Sequence, residues 1–233
     1  CQWGADADAP QDSGLFGFAS LPSFFTTEYA ANSNDSYWLS NPEQPLEGFP
    51  TTMGFIGHEG QQQNLRTQIT HEMVGQRLEG TDGFDASPGF TLSSLQQLMY
   101  ANRVFAADLT LDDVLTVCTE TAWPEIFPPP GGKRACDVLS QWDRLANIDS
   151  RGTQVFTEFW KAISAGGAAF ENAVTDQSLW FEDFDPTRAL ETPKGFNLSL
   201  EVNRERILSA LTTAANALDA ANVAFDAPWG EVQ

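Results

Sequence analysis

The run Asn32-Ser33-Asn34-Asp35-Ser36-Tyr37-Trp38-Leu39-Ser40-Asn41-Pro42, followed by Gln44-Pro45-Leu46-Glu47-Gly48, gathers the side chains of this chain best suited to chemistry. Asparagine amides, an aspartate, hydroxyls and two aromatics stand close together, with turn residues at both ends, which is the composition of a polar site on a rigid corner. A neutral amide can donate to a developing oxyanion without adding charge of its own. The same residue types also build Asx-turns and helix caps, and Asn34-Asp35-Ser36 fits a glycosylation acceptor pattern. Composition alone leaves both readings open, a structural turn and a site.

The elements that would position such a corner follow from periodicity. Residues 1 to about 60 are rich in Gly, Pro, Asn, Asp and aromatics and lack a sustained 3.6 period, so they read as irregular, with short strands near Phe24 to Ala31. Leu65, Ile69 and Met73 then recur every four residues inside Gln63 to Leu78, predicting a helix. Thr91 or Ser93 caps a second run holding Leu95, Leu98, Met99 and Phe105. Thr110 and Asp113 resemble a capping box for a third, with Leu111, Val114, Leu115 and Cys118 on one face. A fourth begins after Gly131-Gly132 and carries Ala135, Val138, Leu139, Trp142 and Leu145. Val155, Phe156, Phe159, Trp160 and Ile163 form a fifth, stopped by Gly166-Gly167. Residues 176 to 198 read as loop, with Asn197-Leu198-Ser199 as a helix-start cap. Glu201 to Ala221 is the longest helix, and Ala227-Pro228-Trp229-Gly230 is a terminal turn that leads onward. The prediction is one mainly α domain over 1–233: an irregular segment 1–60, a bundle of about six helices over 61–222, a terminal turn over 223–233, and little sheet.

Charge narrows the partners. Against 32 acidic residues stand 12 basic ones, a formal net charge of −20, and no Lys or Arg precedes Arg66. Such a field repels phosphate backbones and anionic lipid, so neither nucleic acid nor a membrane surface is expected as a partner. No stretch approaches the roughly 20 apolar residues of a membrane helix. No charged-then-apolar leader opens the sequence, which reads as mature or excised.

Three cysteines, Cys1, Cys118 and Cys136, match no metal-ligand spacing, and His58 and His71 form no cluster with them. No metal or other cofactor is expected. Calcium is the one ion weighed, at Asp6, Asp8 and Asp12 or at Asp82 and Asp85, where solvated acidic loops are the simpler reading. His71 falls mid-helix, as a surface or satisfied core residue. Cys118 and Cys136 flank the proline-rich loop Pro124 to Pro130 and fall on neighbouring helices. They are either a disulfide or two buried thiols. Cys1 is a nucleophile, a lipid-modified anchor, or only the first residue given.

The order of these segments resembles the penicillin acylase family. The resemblance rests on the Asn-Ser-Asn-Asp-Ser-Tyr-Trp-Leu-Ser-Asn-Pro run, the helix with Asn64-Leu65-Arg66, Ala135-Cys136-Asp137-Val138-Leu139 ending in Trp142-Asp143, and the closing Ala-Pro-Trp-Gly. It is greatest with the acyl-homoserine lactone acylase and aculeacin acylase branch. Members are N-terminal nucleophile hydrolases, matured by self-cleavage of a zymogen into two chains, that hydrolyse amides bearing a hydrophobic acyl group. The resemblance implies Asn34 as the oxyanion-hole amide and Arg66 as the arginine that orients it. Trp38, Phe24 and Phe25 are the expected acyl-binding aromatics.

It further implies that the nucleophilic serine lies far upstream of Asn34. The chain then corresponds to the helical part of a larger β chain and is inactive alone. Its expected partners are the small α chain, the nucleophile-bearing part of the β chain and a small N-acyl substrate, in a periplasmic or secreted enzyme. The alternative is an acidic lipoprotein or extracytoplasmic binding module anchored at Cys1.

Overall fold

The computed structural model describes residue 17 and residues 21–49, 57–85, 87–164 and 177–232. Cys1, Asp6, Asp8, Asp12 and the Gly166-Gly167 stop lie outside the described residues. The chain divides into two compact units, Cys1–Gly75 and Gln76–Gln233, the division falling inside the first helix.

In the first unit, helix α1 (Leu65–Glu79) follows an irregular segment. No strand forms near Phe24 to Ala31, contrary to the sequence reading. That stretch is held at single points: the Ala31 N–H donates to the Ser40 carbonyl at 2.8 Å, and the buried Asn41 amide donates to the Tyr29 carbonyl at 2.9 Å. Side chains thus satisfy backbone groups that a ladder would otherwise satisfy. Trp38 and Leu39 are the buried anchors of the corner, and the Trp38 indole donates to Glu47 Oε1 at 2.8 Å.

The second unit is mainly α with little sheet, as the periodicity predicts. It contains α2 (Leu92–Met99), α3 (Phe105–Glu120), α4 (Gly131–Leu139), α5 (Thr153–Ile163) and α6 (Glu201–Ala221). Strands β1 (Trp180–Glu182) and β2 (Lys194–Phe196) make an antiparallel pair inside the stretch read as loop, with Trp180 opposite Phe196. Helix α6 packs against α3, α4 and α5. The shared core is built from Leu111, Val114, Leu139, Phe156, Phe159 and Leu211, all buried. Each such side chain contributes about 1.5–3 kcal/mol by leaving water. Asp113 of α3 accepts the Phe196 N–H at 2.7 Å and so ties the small sheet to the helices.

Several boundaries differ from the sequence reading for identifiable reasons. Phe105 opens α3 and does not close α2. Between the two helices, Arg103 bridges Leu145 and the Val104 N–H donates to the Arg144 carbonyl, so a distant segment interrupts the apolar period. Thr110 is no cap: it lies within α3 and its hydroxyl returns to the Ala106 carbonyl at 2.6 Å. Helix α4 includes Gly131 and Gly132, and a Cβ on Gly131 would lie 2.8 Å from the Ala215 Cβ. Close approach of the chain to α6 is what demands that glycine. Trp142 and Leu145 lie past the end of α4, where the Trp142 indole donates to the Leu145 carbonyl at 2.9 Å. Asn197 forms an Asx-turn with Ser199 ahead of α6, whose N-cap is Leu200, without a side-chain hydrogen bond. Cys118 and Cys136 are joined in a disulfide between α3 and α4.

Candidate functional site

The first unit brings the Asn32–Pro42 corner onto the N-terminal end of α1. That end is capped by Asn64, whose Oδ1 accepts the Thr67 N–H at 2.9 Å. The second half of a capping box usually comes from an acidic residue at the third helical position reaching back. Here that position is Thr67, and Asp35 performs the task from the corner. Its Oδ2 accepts the Asn64 N–H at 2.6 Å and the Thr67 hydroxyl at 2.9 Å, while Oδ1 accepts the Ser36 N–H at 2.9 Å. On the other side of Asn34, Ser33 Oγ lies 3.1 Å from Thr70 Oγ1 and 3.4 Å from the Arg66 carbonyl oxygen. Both chain neighbours of Asn34 are therefore bonded to the first turns of α1.

Asn34 itself has φ +58°, the left-handed region that non-glycine residues seldom occupy. Asn32 holds it there: its Oδ1 accepts the Asn34 N–H at 3.0 Å and its Nδ2 donates to the Asp35 carbonyl at 3.2 Å. The Asn34 side chain is exposed and its amide makes no hydrogen bond to a described residue. Arg66 is exposed as well, and its guanidinium meets no carboxylate among the described residues. It is the sole Lys or Arg in residues 1–75. A cation at the positive end of a helix dipole is disfavoured for folding, so its placement there needs another reason.

Beneath this surface the corner is tightly fastened. Glu59 accepts the Tyr37 hydroxyl at 2.7 Å, the Gly48 N–H at 2.8 Å and the Phe49 N–H at 3.0 Å. Partial burial alone would raise the Glu59 carboxyl, but these three donors outweigh it and leave it below the usual value. Burial, with Glu59 as hydrogen-bond and charge partner, pushes Tyr37 up to about 12. Gly57 passes so close that a Cβ there would lie 2.2 Å from the Ser36 Cα, and its φ of +126° also requires glycine. The Tyr29 hydroxyl lies 2.8 Å from Nδ1 of His71, which is buried, so His71 is a satisfied core residue. Burial pulls its imidazole below the ordinary value, against a hydrogen bond to the Leu39 backbone that raises it.

Asn34 and Arg66, separate in sequence, thus stand on one fastened surface. Of the three aromatics, Trp38 is 3% exposed and belongs to the support of the corner, Phe24 is half-buried, and Phe25 is 94% exposed. Asp35 and Glu59 were not singled out as working residues from the sequence. Asp35 carried one readable signal, an acceptor-only carboxylate among donors; its partners lie 29 and 32 residues away. Asp82 is bound to buried Arg77 at 2.8 Å, and Asp85 accepts the Ser87 N–H, so both carboxylates are engaged by protein groups.

The corner thus presents the exposed Asn34 side chain, and the helix end to which its neighbours are bonded carries the exposed Arg66. The chain belongs to the penicillin amidase family, whose pattern it matches over residues 1–233. It is 39% identical over 220 residues to the aculeacin-A acylase of Actinoplanes utahensis, an alignment covering 93% of this chain and 25% of that protein. It is 26% identical over 234 residues to the acyl-homoserine lactone acylase PvdQ of Pseudomonas fluorescens, covering 100% of this chain and 27% of that protein. The PvdQ of Pseudomonas putida is likewise 26% identical, with 26% of its length covered. The chain spans about a quarter of the length of these relatives.

Proposed function

We propose that this chain forms the oxyanion-stabilising wall of an amidohydrolase that removes a hydrophobic acyl group from an N-acyl substrate. The single observation that carries the reading is the Asn34 amide, exposed and held in a left-handed turn by bonds on both sides. An amide preset in this way donates to the tetrahedral oxyanion with little reorganisation, a contribution of about 3 kcal/mol when one donor is removed. Arg66, anchored on the same helix end, adds a positive field that favours the same charge. The acylase relatives support amide hydrolysis as the reaction, and the substrate class we assign to it is a lipopeptide, an acyl-homoserine lactone or a β-lactam side chain.

In this reading the nucleophile is a serine outside the given sequence, and its own α-amine is the base. The small α chain and the nucleophile-bearing part of the β chain complete the site, no cofactor takes part, and the chain alone turns over no substrate. A periplasmic or secreted location fits the Cys118–Cys136 disulfide, which persists in oxidising compartments. The experiment is hydrolysis of a long-chain N-acyl amide by the full-length enzyme and its Asn34→Ala variant. The expected loss in kcat is 10²–10³-fold, about what one lost oxyanion donor costs. Retention within about threefold would refute the assignment of Asn34, and turnover by the isolated chain would refute its inactivity alone.

A further inference from the structure

We infer that Asp35 is the positioning residue of the oxyanion amide, coupling the Asn34 turn to the helix end that carries Arg66. The inference rests on the reading of Asn34 as the oxyanion donor and adds a residue that acts through it.

The geometry is that of a capping box split between two distant segments. The Asp35 carboxylate makes three hydrogen bonds: one from Ser36 on its own segment, and two from Asn64 and Thr67 at the start of α1. Removing negative charge here would cost the helix end one cap, an ordinary structural effect. What exceeds that role is its place in the chain. Asp35 directly follows the residue with φ +58°, and the Asp35 carbonyl accepts the Asn32 amide that also holds the Asn34 N–H. A left-handed asparagine persists only where its surroundings over-determine it. Asn32 closes the turn locally, Ser33 secures the preceding residue, and Asp35 is the sole charged group in the set. Its two bonds to α1 set where the turn stands relative to Arg66.

Asp35→Asn tests this with almost no change in volume. An amide offers one acceptor oxygen and one donor group, so in either orientation its NH2 faces an N–H or hydroxyl that previously donated. Thr67→Val is the graded companion, removing one donor to Oδ2 at a buried position where valine keeps the packing. Both are made in the full-length enzyme and measured per titrated active site, so that unfolded molecules do not count.

Displacement of the amide by a fraction of an ångström predicts a fall in kcat of about tenfold to a hundredfold for Asp35→Asn, and a smaller one for Thr67→Val. Affinity for a phosphonate transition-state analogue falls by the same factor, while KM and affinity for the fatty-acid product stay within about twofold. In an Asn34→Gly background, Asp35→Asn has no further effect on kcat.

A lower melting temperature with unchanged kcat per titrated site would overturn the inference and leave Asp35 a helix cap. Additive losses in the double variant would overturn it too. If Asn34→Ala and Asn34→Gly lose activity and Asp35→Asn does not, only the role of Asp35 fails. If both Asn34 variants keep wild-type kcat, the oxyanion reading itself fails and this inference with it.

Discussion

Replacing Asn34 by glycine and by alanine separates a chemical role from a conformational one. At φ +58° a Cβ costs about 1–2 kcal/mol, whereas glycine occupies the region without steric penalty. Alanine therefore removes the amide and strains the turn, while glycine removes the amide and leaves the turn relaxed. If the amide stabilises an oxyanion, both variants lose the same donor and kcat falls 10²–10³-fold in each, equivalent to about 3–4 kcal/mol. Their stabilities diverge, with alanine lower than glycine by about 1 kcal/mol. If Asn34 serves only the turn, the order reverses: glycine matches wild type in activity and alanine alone is impaired. Asn34→Asp keeps shape and turn preference but presents negative charge, so it is expected to lose at least as much kcat as glycine. The assay is saturating hydrolysis of a long-chain N-acyl amide by the full-length enzyme, with urea unfolding of each variant alongside. An Asn34→Gly enzyme retaining kcat within about threefold would refute the oxyanion argument.

Three further outcomes concern stability. Arg77 is fully buried and forked onto Asp82 at 2.8 and 3.0 Å, with its other amine on the Asp85 and Ser87 carbonyls, so Arg77→Met strands a carboxylate that is 3% exposed. The expected cost is about 3–5 kcal/mol by urea unfolding, and a loss below about 1 kcal/mol would contradict the pairing. His71 has its folded pKa depressed below 6.5, so below that value the unfolded chain binds more protons. Stability is full above pH 6.5 and declines as pH falls toward the folded pKa. His71→Phe should flatten the slope of melting temperature against pH below 6.5, and an unchanged slope would exclude His71 as its source. Cys118→Ala with Cys136→Ala opens an 18-residue separation and should cost about 3 kcal/mol in the chain-entropy account, read by urea unfolding of the oxidised protein against the variant.

The helical content was legible because it depends on local spacing. Helix α6 falls at Glu201–Ala221, where Ile207, Leu208, Leu211, Ala215 and Leu218 repeat at helical intervals, and Thr91 caps α2 through Ser94 as its hydroxyl predicts. Where the reading failed, a long-range contact overrode a local pattern. The apolar period runs through Asn102 and Arg103, yet pairing with Arg144 and Leu145 breaks the helix there. The apolar stripe starts the fourth helix after Gly131-Gly132, yet both glycines lie inside α4, where the approach of Ala215 leaves no room for a Cβ on Gly131.

The sequence by itself determined the amide, Arg66 as the sole Lys or Arg of residues 1–75, the acidic balance and the periods of the helices, because these are properties of residue type and short spacing. It also left the Asn32–Pro42 run open between a structural turn and a site, with the turn the simpler reading; in the structure the run is a turn in which the Asn34 side chain is exposed. Only tertiary structure decided that Asp35 closes the cap of α1 across about 30 residues, that Trp38 supports from below, and that Arg66 shares the surface of Asn34. A carboxylate in sequence is an acceptor without an address. The donors that define its role are brought to it only by the fold.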